Sequence, residues 1–336
     1  MSTLQDVYSL HHAGRFDEAM RGYRAWLAQH PDDPDAMHLL GILLHRRGEN
    51  AEALSLLARA AELQPDNPEL ALGHATLLRQ AGDAAGASLA FYRALAMDPN
   101  LGGAHVGLGQ LALDRDDAKL AEEHFRIALR AGDDGHALAG LGTIMLARDE
   151  LDAAVGYLTR AAEMVPDYSV IQLLLGQAFS RRGLLAFAET ALNNALRLQP
   201  DLHAARTWLA EVLLKDNRPA EARLLYHTLL PVPGYEVIAQ IGLADAARME
   251  ELYEQSIVHY RAALTLNPRL SVPTRILAWV LATLGRNDEV IATYDTYLKV
   301  VPDDAEMREL REDVWKLHTA ASDGTNAPAG PGETMH

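Results

Sequence analysis

The chain has 336 residues, nearly half of them apolar, with 6% aromatic residues and a formal net charge of −16. Such an acid excess has the wrong sign for a nucleic-acid backbone or an anionic membrane surface, so neither is expected as a ligand. No cysteine is present, which excludes disulfides, thiolate nucleophiles and zinc–thiolate sites.

The opening MSTLQDVYSLHHAG lacks the basic stretch and apolar run of a secretory signal. No apolar run approaches membrane-spanning length, so a cytoplasmic location is the default reading. From Gly41 to Pro65 the chain reads as most of two short helices joined at Arg47-Gly48-Glu49 and closed by a proline. This pattern returns at a step of 34 residues along almost the whole chain. Prolines close successive units at Pro31, Pro65, Pro99, Pro166, Pro200, Pro268 and Pro302.

The second helix of each unit carries a small residue at Ala19, Ala53, Ala87, Ala121, Ala154, Ala188 and Ala222, then Ser256 and Val290. Four residues on stands a bulky one: Tyr23, Leu57, Phe91, Phe125, Leu158, Leu192, Tyr226, Tyr260 and Tyr294. The first helix pairs leucine with a small neighbour, as in Leu40-Gly41, Leu108-Gly109, Leu141-Gly142, Leu175-Gly176, Leu209-Ala210, Leu243-Ala244 and Leu277-Ala278. A small residue in the first helix lets the second approach; one in the second lets its bulky neighbour wedge between helices. Gly14, Gly48, Gly82, Gly183 and Gly285 fall at the inter-helix turn, where a left-handed residue ends the first helix. Acidic residues near helix starts suit the dipole, and each proline stops the helix before it.

Two places depart from the pattern. The unit near Asp133 lacks its proline and is one residue short, and Pro231-Val232-Pro233-Gly234 replaces the usual turn. A local change of pitch is expected at both, without a domain break.

These in-phase copies resemble the tetratricopeptide repeat (TPR) family over roughly residues 1–304. The aromatic residues common in the family's first helix are replaced, for example by Met37 and Leu44, which is ordinary variation. The resemblance implies an all-α, right-handed α-solenoid (superhelix) of about nine helix-turn-helix units. Their boundaries are 1–33, 34–67, 68–101, 102–134, 135–168, 169–202, 203–236, 237–270 and 271–304. Trp26 and Tyr297 fill slots that are mostly alanine in the internal units. A capping helix follows at 305–320, with Met307, Leu310, Val314 and Leu317 on one stripe. The small, polar, Pro/Gly-rich tail at 321–336 is expected to be disordered. Thr3-Leu4-Gln5-Asp6 forms a helix entry without a comparable cap, which makes the N-terminal end the candidate for self-association.

Few residues suggest chemistry. The glycines of GAHVGLG (Gly103, Gly107, Gly109) and Gly140-Leu141-Gly142 sit in phase inside first helices, so packing is favoured over a nucleotide loop. His11-His12 and Glu122-Glu123-His124 are metal ligands by type but lack one-turn His spacing with a third ligand; structural or solvated roles are favoured. No serine lies in a nucleophile elbow. His74 replaces a leucine and reads as a hydrogen-bonded core histidine, with a pH-sensitive spot as the alternative. No catalytic residue, metal or cofactor is assigned.

In the TPR family the first helices line the concave surface, where ligands lie. Carried over by register, one groove row reads His38, Leu72, Val106, Ala139, Leu173, Thr207, Ile241 and Arg275. The next reads Ile42, Thr76, Gln110, Thr143, Gln177, Glu211, Asp245 and Trp279. A third holds His45, Arg79, Leu113, Leu146, Ser180, Leu214 and Arg248, and Arg46 and Trp208 complete the set. The groove so read has an apolar middle, a basic N-terminal end and a mixed C-terminal end with two tryptophans. The Lys/Asn constellation by which some members clamp a carboxylate is missing, as is the asparagine ladder of O-linked N-acetylglucosamine transferases. The ladder's slot instead holds Gly73, Gly107, Gly140 and Gly242 in four units. Glycine inside a helix costs roughly 1 kcal/mol against alanine. Tight inter-repeat packing is the favoured explanation; a lowered groove floor that admits a partner is the other.

The expectation is a non-enzymatic scaffold or adaptor that binds a peptide or amphipathic helix of a partner protein, with a neutral or basic segment preferred. The Ala, Leu, Arg, Asp and Gly bias resembles bacterial TPR proteins. The alternative is a substrate-recruiting subunit acting in trans for an enzyme such as a glycosyltransferase or sulfotransferase. A homo-oligomer joined through its N-terminal helices is the third reading.

Overall fold

The computed structural model describes residues 3–322, and every regular element among them is an α-helix. α1 (Leu4–His12) packs on α2 (Phe16–Leu27), α3 (Pro34–Arg46) on α4 (Asn50–Leu63), and α5 (Pro68–Gln80) on α6 (Ala84–Met97). The same pairing joins α7 (Gly102–Leu113) to α8 (Ala118–Ala131) and α9 (Gly135–Ala147) to α10 (Leu151–Met164). α11 (Ser169–Arg181) precedes α12 (Leu185–Leu198). Three more pairs follow: α13 (His203–Lys215) with α14 (Pro219–Leu229), α15 (Glu236–Met249) with α16 (Tyr253–Leu266), and α17 (Ser271–Thr283) with α18 (Asn287–Val300). α19 (Ala305–Ser322) covers α18. The tail expected to be disordered lies, from residue 323, outside the described residues. No described helix is long and apolar enough to cross a membrane. This is the all-α repeat architecture that the register implies. By packing the chain divides into two compact bodies, Met1–Leu174 and Leu175 onward, the division falling inside α11.

Local chemistry sets the helix ends. α3 and α5 open with a proline behind Asp33 and Asn67, whose side chains accept from Ala36 N at 3.0 Å and Glu69 N at 3.1 Å. Six of the closing prolines hold the residue before them out of the α region: Gln64, Asp98, Val165, Gln199, Asn267 and Val301 have ψ between 69° and 98°. The five turn glycines all have φ between 71° and 85°. The remaining inter-helix turns use Asp116, Asp149, Asn217 and Glu251 in the same left-handed conformation, with φ of 58° to 62°. Asp and Asn tolerate it through local hydrogen bonding, and Glu does not.

The core follows the register. All nine small second-helix residues and all nine bulky ones are buried. The first-helix glycines explain how. Within the first body, a Cβ built on Gly109 would lie 2.7 Å from the Phe125 ring, and one on Gly140 only 2.4 Å from its other edge. Phe125 thus sits in a slot between the first helix of its own repeat (α7) and that of the next (α9). Gly107 receives Phe91 at 2.2 Å in the same way. In the second body Gly242 receives Tyr226 at 2.2 Å and Gly176 receives Leu192 at 2.5 Å.

The end repeats are adapted. In α1 the slots that mostly carry buried apolar residues in later first helices hold exposed Asp6 and Ser9. This helix therefore presents a polar outer face. Its entry is a capping box, Thr3 with Asp6. Trp26 Nε1 donates to Asp33 at 2.7 Å, and Tyr297 OH donates to Asp304 at 2.9 Å. Each aromatic residue latches the acid that caps the following helix, since Asp304 also accepts from Met307 N at 3.1 Å. On α19 Met307 is buried and Leu310 and Val314 pack on the core. Leu317, expected on the same stripe, is exposed because a step of 100° per residue carries it to the stripe's edge.

Two outcomes are expected. Glu251→Gly should stabilise the chain by about 0.5–1 kcal/mol in denaturant titration, since glycine removes left-handed strain larger than its own entropic cost. Gly140→Ala should cost about 1–3 kcal/mol by overpacking. Phe125→Leu should offset part of that loss, so that the double variant is more stable than the sum of the singles predicts.

Candidate binding face on the first helices

Within the first body α3 touches α5, α5 touches α7 and α7 touches α9; in the second, α13 touches α15. These first helices therefore stand side by side. The row residues expected to line a groove meet different fates on them.

At the N-terminal end six of them come together. His38, Ile42, His45, Arg46, Leu72 and Thr76 line a cavity of about 260 Å³, with Leu57, Leu77 and Gly73 below and Glu69 and Gln80 beside them. The His38 ring lies over Gly73, where any Cβ would meet it at 2.4 Å. His45 Nδ1 bonds Asn50 at 2.8 Å, and the Arg46 guanidinium stacks 4.3 Å above the Phe16 ring. Arg79 stands one turn beyond Thr76 on the same face of α5. His38 Nδ1 and Arg79 Nε are enclosed and have no hydrogen-bond partner. Leaving such a group unsatisfied costs about 1–3 kcal/mol.

The middle is closed. Val106 and Ala139 are each only 8% exposed, and Leu146 and Leu173 are buried too. The expected apolar strip there is covered by the protein itself, because Gly107 and Gly140 draw adjacent repeats together. This also decides the question of the glycines for packing: each is filled by a neighbour's ring, so no lowered floor exists for a partner. Gln110, Leu113 and Thr143 remain half-buried at the edge.

In the second body Thr207 is buried, its hydroxyl donating to His203 O at 3.1 Å. Gln177, Trp208, Glu211 and Ile241 are half-buried. Burial pushes the Glu211 carboxyl above its ordinary pKa, with Lys215 opposing. Asp245 accepts from Tyr260 OH at 2.6 Å and from Arg248 at 3.2 Å, while Arg248 Nε has no partner. Arg275 is ion-paired to Glu306 of α19. Trp279 is 53% exposed, and two residues outside the expected rows join it: Val272 at 51% and Ile238 at 42%. Each lies one turn before a row residue, so extending the stripe by one turn toward the helix start would have found them.

The suspected ligand sets are otherwise engaged. His11 Nδ1 meets Tyr23 OH at 3.1 Å, and Glu122 pairs with Arg126 and Arg148 at 2.6 and 2.7 Å. Buried His124 and His105 meet Nδ1 to Nδ1 at 3.0 Å, and His105 Nε2 donates to Pro99 O at 3.0 Å. His105 is thereby the acceptor and His124 the donor of the pair. Among the described residues no group of three or more such side chains could hold a metal ion. His74 is half-buried, and its pKa is lowered by burial and then by Arg93, against Glu62.

A family model of the tetratricopeptide repeat matches residues 10–77, and another of the same description matches 72–136, 106–169 and 173–236. With helix pairs in register along the chain, the fold defines a helical-repeat protein. The chain belongs to the tetratricopeptide-repeat family. It is 31% identical over 219 residues to cellulose synthase operon protein C of Xanthomonas axonopodis pv. citri (strain 306), covering 60% of this chain and 14% of that protein. It is 22% identical over 210 residues to the Homo sapiens protein O-mannosyl-transferase TMTC1, covering 61% and 24%. The chain spans 7% to 24% of the length of the curated relatives it matches. Among solved structures it resembles the APC/C hetero-tetramer Cut9–Hcn1, with a TM-score of 0.61 and 17% identity over 89% of this chain and 59% of that one. That likeness is one of fold.

Burial lowers the pKa of His38, His74 and His124 in the folded chain below the ordinary value of about 6.5. The unfolded chain then binds more protons, so stability is complete above that value and is lost as pH falls through it. The melting temperature should drop on acidification below about pH 6.5, and His74→Leu should flatten that drop.

Proposed function

We propose that this chain is a non-catalytic scaffold that holds a segment of a partner protein on the first-helix faces of its repeats. The observation that carries the reading is the exposure of Ile238 on α15 and of Val272 and Trp279 on α17, successive first helices of the second body. Large apolar side chains rimmed by Glu211, Asp245, Arg248 and Arg275 are what a recognition surface presents, and a tryptophan is the residue type that dominates such interfaces. In the first body the accessible members of the proposed site are His38, Ile42, His45, Arg46, Leu72, Thr76 and Arg79. The net charge of −16 supports a protein partner over a nucleic acid. The polar Asp6 and Ser9 speak against self-association through α1.

A second reading is a recruiting subunit that presents substrate to a glycosyltransferase in trans. It is favoured by the match to an O-mannosyl-transferase over 61% of this chain.

Selection of a displayed random-peptide library against the full chain tests the scaffold reading. Recovered peptides should lose about 2 kcal/mol or more of binding to Trp279→Ala. Val272→Glu should weaken them as well, while Leu89→Glu on the exposed face of α6 should leave binding unchanged. Peptides indifferent to Trp279 and Val272 would refute the assignment.

A further inference from the structure

His105 of α7 and His124 of α8 are both buried, and neither belongs to the proposed binding surfaces. Packing does not ask for histidine there. The same two slots hold Met37 and Leu56 in the second repeat, and Leu138 and Tyr157 in the fifth. Polar rings buried where apolar side chains would serve must have their nitrogens matched.

While both rings are neutral, one arrangement of hydrogens does this. His105 Nε2 donates to Pro99 O at 3.0 Å, so its Nδ1 is bare. That atom lies 3.0 Å from His124 Nδ1, which therefore carries the hydrogen of the bond. His124 Nε2 is then bare as well, and it is not sealed from water. A first proton enters at that nitrogen. It makes His124 an imidazolium whose bond to His105 Nδ1 is charge-assisted, so the contact survives. A second proton can go only to His105 Nδ1. Two cationic rings would then point N–H at N–H across 3.0 Å, and they must part.

The surroundings offer no relief. α5, α6, α8 and α9 pack on α7, which has no other ionisable side chain, and α9 also packs on α8. α5 brings Glu69, His74 and Arg79, α6 brings Tyr92 and Arg93, and α9 brings His136. On α8, Glu122 is held by Arg126 and Arg148, leaving Lys119, Glu123 and Arg130. Of all these groups only His105 and Glu123 act on His124. Burial and then His105 lower its pKa, and Glu123 opposes them. Among the described residues no carboxylate is bonded to either ring. The eighth repeat supplies the contrast: its same two slots hold Gln240 and His259, with Oε1 and Nδ1 2.8 Å apart. An amide oxygen only accepts, so that bond holds whether or not His259 is protonated.

We propose that the His105–His124 contact is a proton-operated latch, which opens the α7–α8 pair when both rings are charged. It adjoins the clasp between the same helices: Phe125 follows His124 and seats against Gly109, and Val106 follows His105. Parting the rings loosens that seat and uncovers the closed middle of the first-helix face. The latch acts whether or not that face binds a partner.

Histidine NMR and amide hydrogen exchange on the full chain test this. At neutral pH, ring nitrogen spectra should show His124 protonated at Nδ1 and His105 at Nε2. On acidification the pair should take its protons in two separate steps. Amide protection in α7 and α8, corrected for intrinsic exchange, should persist through the first step. With the second it should fall at least about tenfold further than protection in α15 and α16, the helices of the Gln240–His259 pair. His105→Gln copies that pair and should abolish the extra loss. The titration of the unaltered chain decides alone if this variant does not fold. Protection lost with the first proton, equal losses in the two helix pairs, or a folded His105→Gln chain that still opens overturns the latch.

Discussion

The structure depends on a bulky side chain of each second helix being held by small residues on first helices. Phe125 shows it most fully, lying between Gly109 of its own repeat and Gly140 of the next. One ring thereby sets both the spacing of two helices within a repeat and the spacing of consecutive repeats. The interior tolerates no slack there, since packing is at crystal density and a single added methyl must displace the ring. The period places Phe91, Phe125 and Tyr226 into the glycine slots of the following repeats at Gly107, Gly140 and Gly242.

This clasp also decides where the chain offers surface. Where glycines draw the first helices together, around Val106 and Ala139, the face closes over its own apolar residues. Where they do not, the face stays open. At the first body's N-terminal end Gly73 is filled by the His38 ring in place of a second-helix residue, and a cavity remains beside it. In the second body Ile238, Val272 and Trp279 stay exposed. Accessible apolar surface on the first helices is thus left where the clasp does not close.

Turns and ends obey separate rules. The inter-helix turn demands a left-handed residue and accepts Gly, Asp, Asn or even Glu251, because the helices it joins are held by their core. The end repeats reuse ordinary slots for new tasks: Asp6 and Ser9 replace buried apolar residues, while Trp26 and Tyr297 latch the acids that start α3 and α19. Membership of the tetratricopeptide-repeat family accounts for the shared frame, and these adjustments belong to this chain.

The amino-acid sequence by itself determined the helix pairs, their period and the core register. These rest on interactions between residues a few positions or one repeat apart, such as Ala121 with Phe125 or Gly48 at its turn. It also showed which residue types fall on the first-helix rows. It did not show that Asp116, Asp149, Asn217 and Glu251 adopt the glycine conformation, since none of them requires it. Only the tertiary structure decided that Val106 and Leu173 are covered, that Ile238 and Val272 are not, and that Arg79 stands without an acid. Exposure and charge pairing depend on how closely neighbouring repeats approach. That distance is set by the summed volumes of side chains from different helices, which no single row of the sequence contains.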